Sequence, residues 1–311
     1  MKHAFIFPGQ GSQSVGMLLE LAEQFARVKE TFDEASEVLG WDVWALTQQG
    51  PEDQLNSTEK TQPVMLAAGV AVWRIWIDQT ELRPQFMAGH SLGEYTALVC
   101  AGALKFTDAI ALVADRGRFM QAAVPEGSGA MAAILGLADD KVQALCAAQA
   151  EDQVLQAVNY NSPGQVVIAG HREAVERAVA NASSAGAKRA TLLSVSVPSH
   201  CALMQSAAIN LQQRLQEIAI KNPTIPVIHN CDVTIHEEAT AIKQALVKQL
   251  DHPVLWVKTI QWLESQGVTQ FIECGPGKVL TGLNKRIIKK TSVYPTHDVG
   301  SLQNALQACS H

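Results

Sequence analysis

Residues 89–95 read GHSLGEY, preceded by the apolar-rich QFMA (85–88) and continuing as LGEYTALVCAGA (92–103). The approach has the character of a short strand and the continuation that of a helix, so Gly-x-Ser-x-Gly stands where a strand turns sharply into a helix. Such a turn is crowded and strained, and the positions two before and two after the serine must be nearly bare. A helix starting beside Ser91 aims its unpaired N–H groups at any negative charge that forms there. The stretch therefore predicts a nucleophile elbow in an α/β sheet.

Reading outward, AFIF (4–7) is a buried-type strand running into a Gly-rich loop. Helical patterns follow over 17–39 and 62–78, then over 92–103 and 107–122, an alternation of strand and helix that predicts an α/β sheet covered on its faces. The texture changes after the turn formers PEGSG (125–129). AMAAILG (130–136), VLQAVNY (154–160), QVVIAG (165–170) and KRATLLSVSV (188–197) read as strands, with helices over 139–150 and 172–186 between them and NSPG (161–164) as a hairpin turn. That order, βαββαβ, is the ferredoxin-like arrangement, and about 70 residues suffice for such an inserted unit. The larger pattern resumes with helices over 202–220, 239–250 and 254–266, strands at PVIHN (226–230) and QFIEC (270–274), and a helix from Lys278. The expected organisation is a core of residues 1–124 and 199–311 with a small subdomain over 125–198.

Of 311 residues, 47% are hydrophobic and 17% charged, a globular composition with ample core. The net charge of −6 argues against nucleic-acid binding. The start, MKHAFIFPGQGSQ, lacks the long apolar run and cleavage site of a signal peptide, and VMLAAGVAVW (64–73) is cut short by Arg74. A soluble cytoplasmic protein, not bound to membrane, is expected. Six cysteines (100, 146, 201, 231, 274, 309) show no C-x-x-C pair and no zinc spacing, so buried free thiols and no metal are expected.

A serine nucleophile needs a base. Among nine histidines, His200 closes SVSVPSH on a loop leaving the small subdomain, and it follows the serine in chain order as the base does in hydrolase-type sheets. The competing reading is an exposed loop histidine. His90, across the elbow, is expected to point away and serve as packing or hydrogen-bonding support. An oxyanion hole requires two donors: the Leu92 N–H, and one from FPGQGSQ (7–13), where Gly9 and Gly11 let the Gln10 backbone approach. That loop has neither the Gly-Lys-Ser/Thr of a P-loop nor the third glycine of a dinucleotide fingerprint. Arg116 and Arg118 are equal candidates for an anion-binding group, since on a helix they point about 200° apart and only one can face the site.

FPGQGSQ, GHSLGEY, DRGRFMQ (115–121), VPSH (197–200) and ECGPGKVL (273–280), in that order, resemble the malonyl-CoA:acyl-carrier-protein transacylases of type II fatty-acid synthesis, over residues 5 to about 283. The resemblance implies an α/β-hydrolase-like core with an inserted ferredoxin-like subdomain. It implies Ser91 as nucleophile, His200 as base, Gln10 and Leu92 as oxyanion donors, and Arg116 as the group that binds a substrate carboxylate. It replaces the acid of a triad by a main-chain carbonyl, that of Gln249 in VKQLDHPV (247–254), with Asp251 as a rival orienter; Asn159, Asn161 and Asn230 are candidates for supporting roles. It implies ping-pong transfer from malonyl-CoA to the acidic, transiently bound holo acyl carrier protein, without cofactor, by a monomer. KRIIKK (285–290) and Lys188-Arg189 are the dense basic clusters available to such a partner. The alternatives are a serine esterase or thioesterase on the same elbow, a non-catalytic scaffold of this fold, and an acyltransferase for another acyl group.

Overall fold

The computed structural model of the chain describes residues 2–195 and 197–309. Among them are nine strands: β1 (Lys2–Phe7), β2 (Phe86–Gly89), β3 (Gly129–Leu135), β4 (Leu155–Ser162), β5 (Gln165–His171), β6 (Arg189–Leu192), β7 (Val227–Ile228), β8 (Val268–Glu273) and β9 (Ser292–Pro295). Five form a wholly parallel sheet in the order β7-β2-β1-β8-β9. Its centre, β1, is buried from His3 to Phe7, as expected of a strand with helices on both faces. Phe5 and Phe7 pack into one apolar cluster with the helix Thr58–Gln79, while Ala4 and Ile6 face a second cluster with Trp256 and Ile260.

The other four strands form an antiparallel sheet in the order β4-β5-β3-β6. Helices Asp139–Ala150 and Arg172–Asn181 cover one face, burying Ala130, Ala132 and Ile134. Met131 points to the opposite face, where it joins Val158, Val167 and Cys201. The architecture is thus an α/β-hydrolase-like core with a ferredoxin-like unit inserted between the helices Phe106–Ala122 and Gln205–Gln216.

Several elements differ from expectation. The 17–39 pattern forms two helices, Leu19–Gln24 and Arg27–Leu39, broken at an extended Phe25, which bury Leu21 and Ala22 and Val28, Phe32 and Ala35 in the same core. The last strand of the small sheet was expected over 188–197 but ends at Leu192; Leu193 adds one more bond, from its N–H to the Met131 carbonyl, and with Val195 lines a cavity, while Ser196 lies outside the described residues. The pattern 202–220 begins as a 3-10 turn, Ala202–Met204, and its helix ends at Gln216. Helices Val43–Gln49, Glu52–Leu55 and Val299–Cys309, and strand β9, have no counterpart in the sequence reading.

Candidate active site

The elbow forms where β2 ends at Gly89 and the helix Gly93–Cys100 begins. A Cβ on Gly89 would overlap the Gly93 carbonyl, and one on Gly93 would overlap the Phe7 carbonyl, so neither position tolerates a side chain. Ser91 sits between them with φ of 51°, a left-handed conformation that a non-glycine residue adopts at a cost of about 1–3 kcal/mol. Both sides of its backbone are tied down. The Ser91 N–H donates to Asn230 Oδ1 at 2.7 Å, and the Ser91 carbonyl accepts from Gln249 Nε2 at 3.0 Å. Asn230 Nδ2 in turn donates to the Gly89 carbonyl.

His200 lies on the loop after the small sheet, also left-handed, with φ of 65°. Its Nε2 is 2.7 Å from Ser91 Oγ and its Nδ1 is 2.7 Å from the Gln249 main-chain carbonyl. A carbonyl can only accept, so Nδ1 carries the proton and Nε2 is left to accept from the serine hydroxyl. Burial, aided by the nearby Arg116 charge, pushes the His200 pKa down to about 3. The imidazole is therefore neutral at physiological pH. Asp251 does not reach His200; its carboxylate accepts from His252 at 2.6 Å.

Arg116 and Arg118 have opposite environments. Arg118 is exposed and pairs with Asp115. Arg116 is 1% exposed, donating from Nη1 to Gln62 Oε1 at 2.8 Å and from Nη2 to Gln249 Oε1 at 3.0 Å, with its guanidinium 5.3 Å above the Tyr95 ring. Among the described residues no carboxylate lies within ion-pairing distance of it. Its Nη2 is 3.5 Å from Ser91 Oγ. A buried cation held by neutral amides beside a serine suits an anionic ligand, because a carboxylate would supply the charge that burial has left uncompensated.

These groups share a cavity of about 100 Å³ with Gln10, Leu92, Met120, Met131, Asn159, Leu193, Val195 and Val197 in its lining. The Gln10 and Leu92 N–H groups have no backbone acceptor among the described residues, which leaves them free for an oxygen beside Ser91. The three asparagines differ. Asn230 holds the elbow, Asn161 Oδ1 is 2.8 Å from His90 Nε2, and Asn159 lines the cavity with its buried Oδ1 unpartnered. His90 also lines the cavity instead of pointing away from it, so Asn161 supports a cavity residue.

Sequence reasoning missed Gln62, Glu94 and Tyr95. The last two belong to GHSLGEY itself, and as successive residues of the elbow's helix they were open to suspicion. Gln62 carries no local signal, since only the approach of two helices brings it to Arg116. The six cysteines are free, and burial raises the Cys201 thiol to about 12, an inert packing residue despite its neighbour His200. Among the described residues no cluster of metal-ligating side chains occurs, and no helix is long and apolar enough to cross a membrane.

Comparison with known proteins gives a consistent result. The acyl transferase domain family matches residues 4–310. The chain is 56% identical to the malonyl CoA-acyl carrier protein transacylase of Salmonella typhimurium, covering 97% of this chain and 98% of that one. It is 55% identical to the protein of the same name from Escherichia coli K12, covering 98% of each. Among solved structures, a malonyl-transacylase in complex with a type II PKS acyl-carrier protein superposes with a TM-score of 0.98 at 54% identity, over 99% of this chain and 100% of that one. The malonyl CoA-acyl carrier protein transacylase of Coxiella burnetii gives 0.98 at 51% identity, over 100% and 98%.

Proposed function

The chain belongs to the acyl transferase family, among the malonyl-CoA:acyl-carrier-protein transacylases, and from that premise we propose how its own residues carry malonyl from malonyl-CoA to the phosphopantetheine thiol of acyl carrier protein for fatty-acid synthesis. In this reading the transfer is ping-pong. His200 Nε2 takes the Ser91 proton as Oγ attacks the thioester carbonyl. The Gln10 and Leu92 N–H groups receive the negative charge that develops on the carbonyl oxygen. The tetrahedral adduct collapses, the C–S bond breaks, and the CoA sulfur leaves with the proton from His200. In the second half the pantetheine thiol gives its proton to His200 and attacks malonyl-Ser91, and the serine oxygen recovers that proton on leaving.

The observation that carries the reading is the chain of contacts from the Gln249 carbonyl through His200 to Ser91, with Arg116 alongside. A neutral acceptor fixes the imidazole tautomer as an acid would, while stabilising imidazolium less. Arg116 grips the malonyl carboxylate; an acetyl group would leave that cation unpaired, at a cost of roughly several kcal/mol. Asn230 holds the elbow, and Asn159 and Asn161 support the cavity wall. We also propose the division into 1–124 with 199–311 and 125–198, supported by the separate apolar clusters of the two sheets. The enzyme acts as a cytoplasmic monomer that meets acyl carrier protein transiently, and no step calls on a cofactor.

Intact-protein mass spectrometry after brief mixing with malonyl-CoA tests the mechanism. The expected outcome is a gain of one malonyl group, absent in Ser91→Ala and discharged by holo acyl carrier protein. An unmodified mass with steady release of malonate would instead mark a hydrolase.

A further inference from the structure

Glu94 is a fully buried carboxylate three residues after Ser91, and the hydrogen-bond partners of its side chain, His229, Asn230 and Gln249, lie outside the cavity lining. Its Oε1 lies 2.7 Å from His229 Nδ1, while Oε2 accepts from the Asn230 N–H at 2.9 Å and from Gln249 Nε2 at 2.9 Å. Both of the last two partners act on the site. Asn230 accepts from the Ser91 N–H; Gln249 donates to the Ser91 carbonyl and accepts from Arg116 Nη2. We infer that Glu94 is a positioning residue that sets the direction of the Gln249 side chain and, through it, aims Arg116 at the acyl pocket.

The reason lies in what each group can do. Glu94 Oε2 accepts from the Asn230 backbone N–H and so presents itself as an acceptor, and the Gln249 amide turns its NH2 toward it and its oxygen toward Arg116. An arginine only donates, so that orientation is the one in which Arg116 Nη2 finds a partner. Glu94 also places a negative charge in the same buried region as the Arg116 cation, with an amide between them in place of a direct ion pair. The guanidinium is thereby held and partly balanced while its remaining capacity stays available to a ligand carboxylate. An amide at position 94 would weaken this logic, because it can donate as well as accept, and only the Ser91 carbonyl would then still call for the Gln249 NH2 on that side.

The inference rests on the proposed grip of Arg116 on malonate, and its test separates the two. Malonyl-CoA and acetyl-CoA are offered together to the enzyme, and the ratio of malonyl to acetyl carried on Ser91 is read by mass spectrometry. Both acyl groups compete for the same folded molecules, so the ratio does not depend on how much of a variant is folded. Glu94→Gln should lower it by about tenfold, as should Gln249→Ala, which keeps the main-chain acceptor of His200. The double variant should fall no further than either single one, since both act through one contact. A wild-type ratio in Glu94→Gln, additive losses in the double variant, or, should Glu94→Gln give no folded protein, a wild-type ratio in Gln249→Ala would each overturn the inference. Arg116→Ala is the control: if it lowers the ratio while Glu94→Gln does not, only this inference fails, and if it leaves the ratio unchanged the carboxylate grip fails and this inference with it.

Discussion

The two sheets contribute to the cavity in unequal ways. The parallel sheet has its central strand buried, and around it loops supply Ser91, His200 and Asn230 while two helices supply Arg116 and Gln249, all joined in one hydrogen-bonded network. The antiparallel sheet buries one face under its own helices and turns the other toward the cavity, where it contributes wall residues such as Met131, Asn159 and Leu193. Strain is divided the same way. Ser91 and His200, both at positive φ, are anchored by the core, whereas the end of β6 and the residue after it, Leu192 and Leu193, are exposed. Rigid, over-determined backbone suits groups that must meet within tenths of an ångström, and in the proposed transfer the second sheet supplies the wall that shapes the acyl pocket.

Changes on the core side should therefore act on chemistry. His200→Ala should cut Ser91 loading by about 10²–10⁴-fold, because in the proposed mechanism the serine loses its proton acceptor; stopped loading assays with malonyl-CoA check this, and a loss of only a few-fold would assign the base elsewhere. Next in size is a pH effect. His200, with a pKa pushed down from 6.5 to about 3, binds no proton in the folded state across a window where the unfolded chain does. Stability from this group is thus complete above about 6.5 and drains away as pH falls toward 3. Loading rates of the folded enzyme should show no step near 6.5, and chemical denaturation should show the wild type losing more stability between pH 7 and pH 5 than His200→Gln does, a difference that cancels the opposite contribution of Glu273, whose carboxyl burial raises to about 7. A loading step at 6.5 would mean that the imidazole is not desolvated as described.

The smallest effect concerns the seam between the two units. Arg286, on the core helix Val279–Ile287, is exposed and donates to Gln165 of β5 at 2.7 Å, so KRIIKK lies where the small sheet meets the core. Charge reversal at Lys285 and Arg286 should raise the KM for acyl carrier protein a few-fold, with that for malonyl-CoA unchanged, as expected for rim charges facing an acidic partner. Equal changes in both would assign these residues to joining the units and not to docking.

Much of this was legible in residues 89–95. The strand, turn and helix around Ser91, and the need for bare positions 89 and 93, follow from local periodicity and steric crowding, which a few neighbouring residues decide. The βαββαβ order of 130–197 was legible for the same reason, since alternation and turn formers are local signals. Its last strand was overextended because the apolar run continues into residues that line the cavity, and composition does not distinguish a sheet partner from a cavity wall. The helix Val299–Cys309 and strand β9 escaped notice although both pack in regular structure.

By itself the sequence determined the elements, the elbow and the types of group available for chemistry: a serine, a loop histidine, a Gly-rich loop and two arginines. Only the tertiary structure decided which of those groups meet. Arg116 is buried and Arg118 solvated because the helix Phe106–Ala122 turns one side to the core. The His200 Nδ1 proton goes to the Gln249 carbonyl and not to Asp251 because the helix Ala239–Asp251 delivers its last turn there. Glu94 looks like any helical acid until His229, Asn230 and Gln249, more than a hundred residues away in sequence, close around it. Local preferences are written in neighbouring residues, but the partner of a buried charge is chosen by packing between distant elements, where desolvation makes each contact matter.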